Sequence, residues 1–80
     1  MHQDDIVTRV RTQYPDATID IAGADCNFEI HILSDGFAGQ SLLQRQKGIL
    51  ALFKDELQSG AMHALTIKAK TPAEKAAESS

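Results

Sequence analysis

The sequence holds one cysteine, two prolines, no tryptophan, one tyrosine and three phenylalanines across its 80 residues. A single cysteine, Cys26, excludes an intramolecular disulfide framework, which fits a reducing compartment. No stretch approaches the roughly 18 uninterrupted apolar residues of a membrane span. The opening Met-His-Gln-Asp-Asp is acidic and no apolar segment follows it, unlike a secretory signal, so the expected location is the cytoplasm. Net charge is −3, from eleven acidic and eight basic residues, which argues against strong unassisted binding to phosphate backbones. The shortage of aromatic side chains also removes base-stacking platforms. A chain this short buries about 60% of its extended surface. It is expected to form one domain over 1–80, without room for a catalytic domain beside a regulatory one.

What is present reads as six elements. Asp4 and Asp5 precede Ile6, Val7, Val10 and Tyr14, which predicts a helix from about Asp4 to Gln13, ended by Pro15. Ile19 and Ile21 alternate with polar residues in a strand over Ala17 to Ala22. Phe28, Ile30 and Ile32 do the same over Asn27 to Leu33. The short link Gly23-Ala24-Asp25-Cys26 makes the two an antiparallel hairpin. After a loop at Ser34 to Gly39, Ser41 and Gln44 form a capping box for one long helix that stops before Gly60. Its expected inward stripe is Leu42, Gln46, Ile49, Leu50, Phe53 and Leu57. A third strand covers His63 to Ala69, and Thr71-Pro72-Ala73-Glu74 caps a last helix whose tail, from about residue 76, is expected to fray. The order α-β-β-α-β-α predicts an α+β fold with a three-stranded mixed sheet covered by helices. Strands two and three run parallel across a right-handed crossover.

That direction has a chemical consequence. Parallel neighbours begin at the same sheet edge, about 4.8 Å apart, so Cys26 before strand two and His63 opening strand three are expected to share a neighbourhood. Both have the parity of the apolar face. A thiol and an imidazole supply half the four ligands of an iron-sulfur cluster, so the other half must come from another molecule, a partner protein or a second copy in a homodimer. The isolated chain is then expected to carry no cofactor. His2 and His31 would complete a metal site only if the N-terminal tail joined in, so no self-contained zinc centre is expected. Cys26 and His63 also resemble a nucleophile with its base, but the chain offers neither a cleft nor a third orienting residue, so an enzyme is not expected.

Gly36-Phe37-Ala38-Gly39 has the GXXG spacing by which KH domains clamp a nucleic-acid backbone. The plainer reading is a turn into the long helix, and Asp35 would repel phosphate. With Arg45, Lys47, Lys68 and Lys70 the loop defines the alternative function, a DNA-binding transcriptional regulator with weak affinity for DNA.

Three runs in order and spacing, Phe37-Ala38-Gly39-Gln40-Ser41-Leu42-Leu43-Gln44-Arg45, Met62-His63-Ala64-Leu65-Thr66-Ile67 and Thr71-Pro72-Ala73-Glu74, resemble the BolA family. The likeness runs from about Asp5 to Glu74 and is nearest the short bacterial branch called IbaG or YrbA. It implies a fold similar to class II KH domains and association with a monothiol glutaredoxin. In such pairs a 2Fe-2S cluster is bridged between the proteins. The glutaredoxin and its glutathione give sulfur ligands, while the BolA-like chain gives its C-terminal histidine and a residue of the hairpin loop. Carried over, these are His63 and Cys26, and the role is a non-enzymatic adaptor in iron-sulfur trafficking or iron sensing. Asn27 stands where close relatives often place a loop histidine, and Gln46 and Lys75 replace a histidine and a tryptophan common in the family.

Overall fold

In the computed structural model of the chain, residues 2–24 and 27–79 are described. Helix α1 (Gln3–Gln13) begins at His2, whose Nδ1 accepts a hydrogen bond from the Asp4 N–H at 3.1 Å while the Asp5 carboxylate accepts from the His2 N–H. That reciprocal pair places the start one residue ahead of the expected Asp4. Ile6 and Val10, one turn apart, are fully buried.

Strands β1 (Thr18–Ala24) and β2 (Asn27–Leu33) pair antiparallel, with Ile19 opposite Ile32 and Ile21 opposite Ile30. β1 runs two residues beyond the expected Ala22, drawing Gly23 and Ala24 into the ladder. The expected turn residues Asp25 and Cys26 lie outside the described residues. β3 (Ala64–Lys70) runs parallel to β2, in register from Asn27 opposite Ala64 to Leu33 opposite Lys70, and the sheet order is β1-β2-β3. One side of the sheet, carrying Phe28, Ile30, Ile32, Ile67 and Ala69, packs against the helices; the other carries the exposed Asp20, His31, Thr66 and Lys68. The folded surface of 4932 Å² matches the roughly 4,700 Å² that the chain's mass implies.

The long helix departs from expectation. It is two helices, α2 (Leu42–Leu52) and α3 (Lys54–Ser59), separated at Phe53. Arg9 of α1 sits at the break: its Nη1 donates to the Leu52 carbonyl at 3.1 Å, its guanidinium lies 5.4 Å over the Phe53 ring, and it pairs with Glu56. At the same point the Phe53 N–H bonds to the Leu50 carbonyl three residues back, at 3.0 Å, a 3-10 turn between the two helices. The inward stripe is also corrected. Ile49, Phe53 and Leu57 face the core, but Leu42 is 69% exposed, Leu50 and Gln46 are exposed, and the buried residue of the first turn is Arg45. Arg45 stands four and eight residues before Ile49 and Phe53, so it shares their face of the helix.

Helix α4 (Pro72–Ser79) starts with the expected box, the Glu74 N–H donating to Thr71 Oγ1 and the Thr71 N–H to Glu74 Oε1. It runs through Ser79, and Lys70 of β3 pairs with Glu78 at 2.6 Å.

Candidate functional site

Two anchors bring the sheet edge into place. α3 ends on Gly60, whose φ of 85° is the left-handed conformation that favours glycine. The Met62 N–H then donates to the Glu56 carbonyl at 3.1 Å, and the Met62 side chain is fully buried. His63 follows in the bend 61–63 and is exposed, one residue ahead of β3 and not within it as expected. A buried residue on one side and a paired strand on the other fix the backbone of His63 while its ring stays in solvent. In the register, Ala64 opposite Asn27 sets the chain position after His63 beside the one after Cys26; Cys26 itself lies outside the described residues.

The other histidines are elsewhere. His2 caps α1, and His31 stands on the open side of the sheet, opposite Lys68, with Nε2 at 3.6 Å from Glu29 Oε1. His31 is four positions along β2 from Asn27, about 13 Å from the edge. Among the described residues no group of three or more His, Cys, Asp or Glu could hold a metal ion. His63 is one imidazole donor at this edge.

The loop that precedes α2 serves the core. Asp35–Phe37 form a 3-10 turn, and Phe37 is fully buried with its ring 4.5 Å from that of Tyr14. The Gly36 N–H donates to Ser34 Oγ, and a Cβ at Gly36 would lie 2.8 Å from the Tyr14 ring, so glycine is required by close approach. Gly39 has φ of 80° and open space around it. Asp16 ties the loop to the α1–β1 link: its carboxylate accepts from the Ser34 hydroxyl at 2.6 Å and from the Asp35 N–H at 3.0 Å. These two bonds, the hydroxyl's first, hold the Asp16 carboxyl below its usual range.

Of the four basic residues grouped with this loop, the structure leaves two free. Arg45 is 5% exposed; its guanidinium donates to both Glu74 oxygens, at 2.6 and 3.1 Å, and to the carbonyls of Ala69 and Gln40. Its charge is spent inside the protein, so Arg45 is corrected from a solvated contact residue to a structural one. The Arg45 hydrogen bonds, then the Thr71 N–H, hold the Glu74 carboxyl at about 2. Lys70 is paired with Glu78, whereas Lys47 and Lys68 are exposed without a carboxylate partner among the described residues. The Arg45–Glu74 pair was missed in the sequence, where the only signal was the place of Arg45 in the buried stripe. The Asp16–Ser34 contact left no local signal.

A family model described as BolA-like protein matches residues 10–74. The chain belongs to the BolA-like family. It is 52% identical to SufE-like protein 1 of Arabidopsis thaliana over 50 residues, which are 62% of this chain and 13% of that relative. The chain therefore spans a small part of that relative's length. Among solved structures, the BolA domain of SufE1 from Arabidopsis thaliana superposes with a TM-score of 0.80 at 31% identity, covering 92% of this chain and 98% of that one. A bolA protein homologue from Coxiella burnetii gives 0.76 at 28% identity, covering 94% and 96%. The α+β architecture with its mixed sheet is thus the BolA fold. No helix among the described residues is long and apolar enough to cross a membrane.

Proposed function

We propose that this BolA-like chain is a non-enzymatic cytoplasmic adaptor in iron-sulfur trafficking or iron sensing. It partners a monothiol glutaredoxin and co-ligates a bridging 2Fe-2S cluster through His63 and Cys26. The observation that carries the reading is the setting of His63: an exposed imidazole on a backbone pinned by buried Met62, at the edge where β2 and β3 begin together. Such a ring binds a partner's cluster through a ring nitrogen without rearranging the core. Two ligands from this chain complement two sulfur ligands from the glutaredoxin and its glutathione, and imidazole ligation raises the cluster potential relative to four thiolates. The test is to mix the purified chain with cluster-loaded monothiol glutaredoxin and record the visible spectrum and particle size. A heterodimer with an altered spectrum, lost in His63→Ala, is expected. An unchanged glutaredoxin spectrum with both proteins eluting separately would refute the reading.

Weak DNA binding is the second reading, favoured by the exposed Lys47 and Lys68. With Arg45 turned inward, few phosphate contacts remain, so affinity for a duplex should fall only shallowly with salt.

A further inference from the structure

The far end of β3 carries a surface that cluster ligation does not use. β3 is an edge strand, and no other strand of the described residues pairs with its outer side. The Lys70 carbonyl turns toward β2, accepting from the Ser34 N–H at 3.1 Å. Backbone groups alternate sides along a strand, so those of Leu65, Ile67 and Ala69 point outward. The Ala69 carbonyl accordingly meets Arg45 Nη1 at 3.1 Å. Leu65 and Ile67 are left with their N–H and C=O groups on the unpaired edge, and Arg45 blocks only its end. Proteins usually blunt such an edge, because it templates the addition of another strand.

Helix α2 runs alongside. Leu42 and Gln46, one turn apart, line a groove of about 250 Å³ with Ile67, Lys68, Ala69 and Lys70. Leu42 is 69% and the adjacent Leu43 61% exposed, unusual for leucines in a domain with so small a core. An unpaired strand edge beside an apolar helical ridge is the geometry that receives an extended peptide, main chain to the edge and alternate side chains to the ridge. Charge selects the peptide. Lys68 projects on the open side of β3 and Lys47 stands one turn on from Leu43, both without a carboxylate partner among the described residues. A second copy of the chain would bring the same lysines and the same net charge of −3 against each other.

We infer that this groove docks an extended, acidic segment of another polypeptide as a fourth strand on β3. Apolar side chains of that segment cover Leu42 on the helix side, and the alternating carboxylates, on the open side of the sheet, meet Lys68. The groove lies about 16 Å along β3 from His63, so an adaptor could hold this segment and a cluster partner together, and the inference stands whether or not His63 is a cluster ligand.

The test uses the full chain, labelled with nitrogen-15, and a blocked hexapeptide of alternating Glu and Val. Expected are saturable amide shifts at Leu65, Ile67 and Leu42, with slowed hydrogen exchange of the Leu65 and Ile67 amides. A Lys-Val hexapeptide should bind roughly tenfold more weakly, and Lys68→Glu should weaken the Glu-Val peptide about threefold, in the range of exposed charge pairs. Lys54→Glu, on α3, should leave it unchanged. Any of the following would overturn the inference: no shifts with the Glu-Val peptide, equal binding of the Lys-Val peptide, shifts confined to Asp20 and His31, or stronger shifts of the same edge by a thymidine oligonucleotide. Protection of the edge that rises with protein concentration alone would overturn it in favour of a second copy.

Discussion

Met62 and His63 are neighbours in the chain and opposites in burial, so alanine at each separates the scaffold of the site from its chemistry. Met62 is 0% exposed and part of the core cluster. Truncating it removes about three methylene-sized groups, worth ~0.8 kcal/mol each in transfer from water. The cavity left behind brings the cost to about 3 kcal/mol, within the ~2–5 observed for core methionines. A domain of this size has a total stability on the order of 4–12 kcal/mol, so the loss is a large share. At about 4–8 °C per kcal/mol, Met62→Ala should lower Tm by roughly 12–24 °C. His63→Ala removes an exposed ring and should stay within about 0.5 kcal/mol, or ~4 °C. Thermal unfolding followed by circular dichroism reads both. A drop for His63→Ala as large as that for Met62→Ala would show that the imidazole is structural and would sink the view of His63 as a fixed, solvent-facing donor. So would a Met62→Ala variant of unchanged Tm, because the bend would then not depend on that anchor.

Acid should destabilise the protein partly through Glu74. Its folded-state carboxyl, held at about 2 against an ordinary 4.5, binds its proton less readily than in the unfolded chain. The stabilisation is therefore fully present above pH 4.5 and lost as pH falls toward 2. Glu74→Gln should make Tm fall less steeply over that window, leaving the part due to Asp16 and Glu78, whose carboxyls are also lowered; an unchanged slope would remove the Arg45 pair as its cause. Cys26→Ser should shorten the lifetime of the glutaredoxin cluster complex while an imidazole-ligated spectrum persists through His63; unchanged spectrum, lifetime and affinity would demote Cys26 and turn the search to His31. Gly36→Ala, with its Cβ 2.8 Å from the Tyr14 ring, should cost about 1–3 kcal/mol by overpacking. Gly48→Ala in α2, where the nearest atom is Tyr14 Oη at 3.8 Å, should stabilise by roughly 0.5–1 kcal/mol. Chemical denaturation of the two glycine variants should therefore move in opposite directions.

What the sequence determined by itself is the set of features written in short-range chemistry. The Ser41–Gln44 and Thr71–Glu74 boxes lie within four residues of chain and close as read. The alternation in β2 and β3 sorts Phe28, Ile30, Ile32 and Ile67 to one side, and the crossover made those strands parallel. Tertiary structure alone decided where distant groups compete. Where the long helix divides at Phe53, Arg9 reaches across from α1 to the Leu52 carbonyl, 43 residues later in the chain. Arg45 is buried where Glu74, 29 residues later, pairs with it and the carbonyls of Gln40 and Ala69 accept its remaining bonds. With a charged side chain filling the first-turn position of the inward stripe, Leu42 and Leu43 are left outside beside the β3 edge. A helical pattern read alone assigns leucines to the core and arginine to water. Here the partner charge on α4 reverses that order, since burying an ion becomes affordable once its hydrogen bonds are met, and the reversal creates the exposed groove along β3.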